Sequence, residues 1–169
     1  MNRKTGYSVY CYKPDSSVPS VEEAKRIIGD GRDILQGRKP SREEDSAMKR
    51  KIADALVEYD PSLTPSKFDF KEIAEMKGIS EIEARKWWSH IELNTPEGEL
   101  ATQIIIHDNR VSISIPYWYS GSELKKVTAR LSRYLQVIGK VAGFYAWDPQ
   151  EGKAFDPSDE RQVRALYER

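Results

Sequence analysis

Residues 90–118 read "HIELNTPEGELATQIIIHDNRVSISIPYW", three apolar runs divided by two turn signals. "PEGE" suits a four-residue loop and "DN" a two-residue hairpin turn, so the stretch predicts a three-strand antiparallel meander. Closing the first loop pairs Thr95 with Leu100, and closing the second pairs His107 with Arg110. Opposed residues share a face, which puts Ile91, Leu93, Ile104, Ile106, Val111, Ile113, Ile115 and Tyr117 on a core side. The other side receives His90, Glu92, Asn94, Gln103, Ile105, His107, Ser112, Ser114 and Trp118. The aromatic run "PYWYSG" at 116–121 is thereby split: Tyr117 points inward, Trp118 outward, and Tyr119 stands where the strand ends.

Working outward, "YSVYCY" at 7–12 and "GFYAWDPQEGKAF" at 143–155 supply further strands, the latter a hairpin. Helix starts are marked by Ser/Asp-x-x-Glu boxes, in which the cap side chain and the Glu satisfy orphan amides. They occur at Ser20 with Glu23, Ser41 with Glu44, Asp69 with Glu72, Ser80 with Glu83, and Ser120 with Glu123. The second helix aligns Met48, Ile52, Leu56 and Tyr59 until "DPSLTP" breaks it. Residues 121–141 carry Leu124, Val127, Leu131, Tyr134, Leu135, Ile138 and Val141 at spacings of three and four, a stripe that must lie on a sheet. A short helix, "DERQVRALYER", ends the chain. The expected fold is α+β, an antiparallel sheet of about four to six strands with helices packed over one face as a two-layer sandwich.

A chain of 169 residues that is 38% hydrophobic can bury a real core, so residues 1–169 are expected to form a single domain. Lys plus Arg number 27, as do Asp plus Glu, so no net field draws the protein to phosphate or an anionic membrane. The single cysteine, Cys11, excludes a disulfide framework and fits a reducing compartment. "MNRKTGYSVYCYKP" holds no apolar run long enough for a signal peptide, and no window approaches a membrane span, so a cytoplasmic protein is expected.

Three chemistries can be weighed on the residues. "KEIAEMKGISEIEARKWW", residues 71–88, has the small residue, glycine turn and buried apolar position of a helix-turn-helix. Glu81 and Glu83 beside Arg85 and Lys86 would repel phosphates, which favours an ordinary helical turn over a DNA reader. His90 and His107, the only histidines, are placed roughly 8–10 Å apart by the loop closure above, too far to share a metal. No nucleophile elbow, His-Glu-x-x-His or phosphate loop is present, so neither catalytic residues, a metal nor a cofactor is expected. Lys126, Arg130, Arg133 and Lys140, and "KRK" at 49–51, read as solvated basic faces. "REED" at 42–45, Glu97 with Glu99, and "DPSDE" at 156–160 oppose them, a patchy surface suited to a protein partner.

The succession "YSVYCYKP", "PSVEEAKRII", "IEL" with "PEGE", "SISIPYW" and "FYAWDPQEGKAFDP" resembles small bacterial immunity-type proteins of polymorphic and interbacterial toxin systems. The resemblance implies a cytoplasmic, non-enzymatic protein that binds a cognate toxin and occludes its active site, with neither nucleic acid nor membrane as partner. Interface energy gathers on a few aromatic anchors, so Trp118 and Tyr119 become partner-binding candidates, followed by Glu92, Glu97, Glu99, His107 and Trp147. A protein-binding or regulatory module with another partner is the competing expectation, with DNA binding through residues 71–88 behind it.

Overall fold

The computed structural model describes residues 6–29, 41–98, 100–116 and 119–169. Its strands are β1 (Tyr7–Tyr12), β2 (Thr64–Pro65), β3 (Ile91–Asn94), β4 (Gln103–Ile106), β5 (Arg110–Ile115), β6 (Tyr145–Asp148) and β7 (Lys153–Phe155). They form one antiparallel sheet in the order β2-β3-β4-β5-β1-β6-β7. The expected α+β class and antiparallel sheet are therefore present. The seventh strand comes from "DPSLTP", which does end a helix but then pairs Thr64 with Asn94. An edge position suits Pro65, which has no amide to give a neighbour on its far side.

Alternation sorts the side chains as the sequence predicts. Leu93, Ile104, Ile106, Val111 and Ile113 are fully buried on one face, joined by Val9 and Cys11 from β1. The β4–β5 register follows the "DN" turn, with His107 bonded to Arg110 across it. The β3–β4 register does not follow "PEGE". Asn94 pairs with Gln103 and Ile91 with Ile106, so the strands are offset by two residues from the expected closure. The cause lies at the loop ends. The Thr95 amide donates to the Thr102 carbonyl (3.1 Å), and the Thr102 amide donates back to Thr95 Oγ1 (2.9 Å). The wider loop then has its backbone satisfied from afar: the Ala101 amide donates to the Tyr119 hydroxyl and Arg130 donates to the Leu100 carbonyl (3.1 Å). An offset of two preserves which face each residue occupies but changes every cross-strand neighbour.

The helices are α1 (Val21–Ile28), α2 (Glu43–Tyr59), α3 (Phe70–Lys77), α4 (Glu81–Trp87), α5 (Gly121–Ala142) and α6 (Glu160–Tyr167). Helices α2, α5 and α6 contribute to the main core, where Val127, Leu131, Tyr134, Leu135 and Ile138 of α5 are buried. Burying each such side chain contributes about 1.5–3 kcal/mol relative to exposure. Leu124 and Tyr59, expected on the inner stripes, are exposed instead. Helix α1 sits apart, packing Ala24 and Ile28 against Tyr12 in a second cluster that includes Tyr10, Tyr145 and Trp147. Those four rings alternate with the core-facing residues of β1 and β6, so α1 lies on the opposite face of the sheet from α5. Two-layer packing thus holds over most of the sheet, with one corner covered on both sides.

Ser20, Asp69 and Ser80 cap their helices as the boxes predict. Ser41 does not: the cap residue of α2 is Arg42, with no side-chain cap bond, and the Ser41 hydroxyl is used elsewhere. Ser120 caps α5 without a side-chain bond.

Candidate functional site

The face of the sheet opposite α5 is half-covered. Read across the ladders, one row runs Glu92, Ile105, Ser112, Tyr10, Trp147, and the next runs Asn94, Gln103, Ser114, Ser8. All nine are half-buried. Small hydroxyl side chains in the middle of both rows leave a shallow trough. At one end Tyr10 and Trp147 stack at 5.7 Å between ring centres, forming an aromatic wall. At the other, Glu92 Oε1 accepts from Ser66 Oγ (3.1 Å), Asn94 Nδ2 (3.2 Å) and Gln103 Nε2 (2.9 Å). The trough deepens into a groove of about 470 Å³ lined by Tyr10, Ile105, His107, Ser112, Ser114 and Trp147. Ser114 also borders the neighbouring hollow beside Ser8, Asn94 and Gln103. An aromatic wall, apolar Ile105 and a fringe of hydroxyls, amides and one held carboxylate offer the anchors and rim that protein recognition uses.

Of the residues chosen from sequence, Glu92, His107 and Trp147 come together on this face, with His107 buried at the trough's end. Tyr119 does not join them. Its ring packs against the main core and its hydroxyl accepts from the Ala101 amide, so it holds the β3–β4 loop. Glu97 is exposed in that loop. Trp118 and Glu99, together with the core assignment of Tyr117, lie outside the described residues. Tyr10, Ser8, Ser112 and Ser114 also belong to this face, and the signal that finds them is the period-two pattern of "YSVYCY" set against "VSISI".

The His90–His107 separation expected from sequence is corrected by the two-residue offset. Continuing the β3–β4 ladder sets the two opposite each other, and their rings lie 5.5 Å apart, tilted by 37°. The Phe68 ring abuts His90 at 5.1 Å.

Next to this pair the reading of "KRK" as a solvated cluster fails at Lys49, which is 3% exposed. Its ammonium has three donors and three acceptors: Asp108 Oδ1 (2.7 Å), the Ser89 carbonyl (2.8 Å) and Ser41 Oγ (3.1 Å). Ser41 donates in turn to Asp108 (2.8 Å) and lies 3.0 Å from Ser89 Oγ. This use of the Ser41 hydroxyl is why it does not cap α2.

A second buried carboxylate, Asp148, accepts from Tyr7 (2.5 Å), Tyr167 (2.7 Å), and the Gln150 and Glu151 amides (2.9 and 3.1 Å). It ties β1, β6 and α6 together. Burial, then the adjoining carboxylate, raises the Tyr7 and Tyr167 hydroxyls well above the ordinary tyrosine value. Burial alone pushes the Cys11 thiol up, which makes it inert as a nucleophile.

The stretch 71–88 forms α3 and α4 joined through Gly78 at φ 66°. Its basic residue Arg85 is engaged within the hairpin, over the Phe70 ring at 4.7 Å and bonded to Glu81 at 3.0 Å. Only Ala74 and Ala84 of the two helices are buried, and Trp87 and Trp88 are both half-buried. The basic line on α5 is broken, since Arg130 serves the Leu100 carbonyl and Arg133 approaches Glu160 at 3.8 Å. Among the described residues no helix is long and apolar enough to cross a membrane.

The chain matches no protein-family model, no curated protein and no solved structure at a significant level.

Proposed function

We propose that this protein neutralises a cognate bacterial toxin in the cytoplasm by binding it stoichiometrically, without catalysis, and occluding its active site. The observation that carries the reading is the trough on the half-covered face of the sheet, floored by Ser8, Ser112 and Ser114 and walled by the Tyr10–Trp147 stack. A rigid sheet backed by α5 presents this surface with little reorganisation on binding, which preserves affinity. The whole-chain resemblance to immunity-type proteins supports the same role. The zero net formal charge and the internal engagement of Arg85 favour a protein partner over a polyanion.

The test is association with any toxin domain encoded by the genes adjacent to this one, measured by titration calorimetry and by rescue of growth on co-expression. A one-to-one complex and restored growth are expected, with Trp147→Ala weakening binding at least about tenfold, or about 1.4 kcal/mol. Absence of association at micromolar concentration, together with absence of rescue, would refute the proposal.

A further inference from the structure

The register that corrects the histidine separation also sets two imidazole rings side by side. We propose that His90 and His107 form a two-imidazole site for a divalent ion of the zinc, nickel or copper class. Directly opposed residues of an antiparallel ladder bring their Cβ atoms about 4.5–5.5 Å apart, close enough for two rings to converge. With metal–nitrogen bonds of about 2.0–2.1 Å and a tetrahedral angle, two imidazoles on one ion have ring centres about 5.2 Å apart. The rings of His90 and His107 are 5.5 Å apart.

Imidazole is a ligand type that zinc, copper and nickel share, and ligation through one ring nitrogen leaves the other to a hydrogen-bond acceptor. The nearest carboxylate in sequence, Asp108, is committed to Lys49 and Ser41. Among the described residues no group of three or more His, Cys, Asp and Glu is placed to hold a metal. The protein therefore supplies two ligands, and water or a group from a bound molecule fills the other positions. His107 lines the groove that opens into the trough, which gives an ion its route in. The site is weaker than a closed structural zinc centre, and protons compete with the ion because the ligands bind as neutral imidazoles.

The chain contains two histidines, so an untagged protein has no other imidazole to confuse the readout. Untagged protein stripped with chelator is titrated with ZnCl2 and NiCl2 at pH 7.5 and pH 5.5 by calorimetry, and the two imidazole C2–H resonances are followed by NMR. One saturable equivalent is expected at pH 7.5, weakened at least about tenfold at pH 5.5 and in His90→Gln and His107→Gln. Both resonances shift with zinc and broaden with nickel. His90 is half-buried, so His90→Gln carries the test if the buried His107 proves intolerant of change. Absence of a saturable equivalent in the wild type, or unchanged affinity in folded His90→Gln, overturns the proposal.

Discussion

A Cβ placed on Gly139 would stand 2.7 Å from the backbone nitrogen of Ser158 and 2.9 Å from the Pro157 carbonyl carbon. Helix α5 approaches the segment before α6 that closely because residue 139 has no side chain. Gly139→Ala gains helix propensity, about 1 kcal/mol, but meets backbone that cannot rotate away. The clash wins. We expect a net loss of about 1–3 kcal/mol in urea unfolding, with hydrogen exchange accelerated first in α6.

The Lys49–Asp108 pair makes a second prediction. Removing one partner of a buried pair leaves the other charge uncompensated, which costs about 3–5 kcal/mol when both are fully buried. Asp108 is 36% exposed, so water relieves part of that cost. Asp108→Ala should lose about 2–3 kcal/mol in urea unfolding. Lys49→Met with Asp108→Leu should recover much of it, because no lone charge remains. A recovery failure would mean that Ser41 and Ser89 depend on the pair for their own placement.

At high pH the tyrosines around Asp148 contribute to the loss of stability. Their hydroxyls have folded values raised above the unfolded value of about 10, so the unfolded chain ionises first. Their contribution is fully present below pH 10 and is lost as pH rises above it. Thermal melts between pH 8 and 11 should show the midpoint falling beyond pH 10. In Tyr7→Phe the alkaline slope should be shallower, on a baseline lower by about 1–3 kcal/mol from the donor taken from Asp148.

What the sequence revealed follows how local the deciding interactions are. The β4–β5 register is legible because a two-residue turn sets it, and Val111, Ile113 and Ile115 then fall inward. The β3–β4 register is not, because its loop is held by Thr95 with Thr102 and by Tyr119 and Arg130 from beyond the meander. A two-residue offset keeps parity, so the faces follow the turn signal, whereas the His90–His107 contact depends on the offset itself. Glu92 and Trp147 were reached from sequence, whereas Tyr10 depends on β1 lying between β5 and β6, a pairing no local signal encodes. Lys49 looked solvated because its partner is 59 positions away in the chain.

The most direct test of the central claim fills the trough. Ser114 lies half-buried at its middle, 3.3 Å from Ser8 Oγ, and an arginine there would block the floor while the core side of β5 stays unchanged. Calorimetric titration of the toxin domain identified by the co-expression test into Ser114→Arg should show affinity reduced at least about a hundredfold, or about 2.7 kcal/mol. Lys126→Glu, on the exposed outer side of α5, should bind within about threefold of the wild type. Wild-type affinity in a folded Ser114→Arg protein would contradict the account and move the interface off this face.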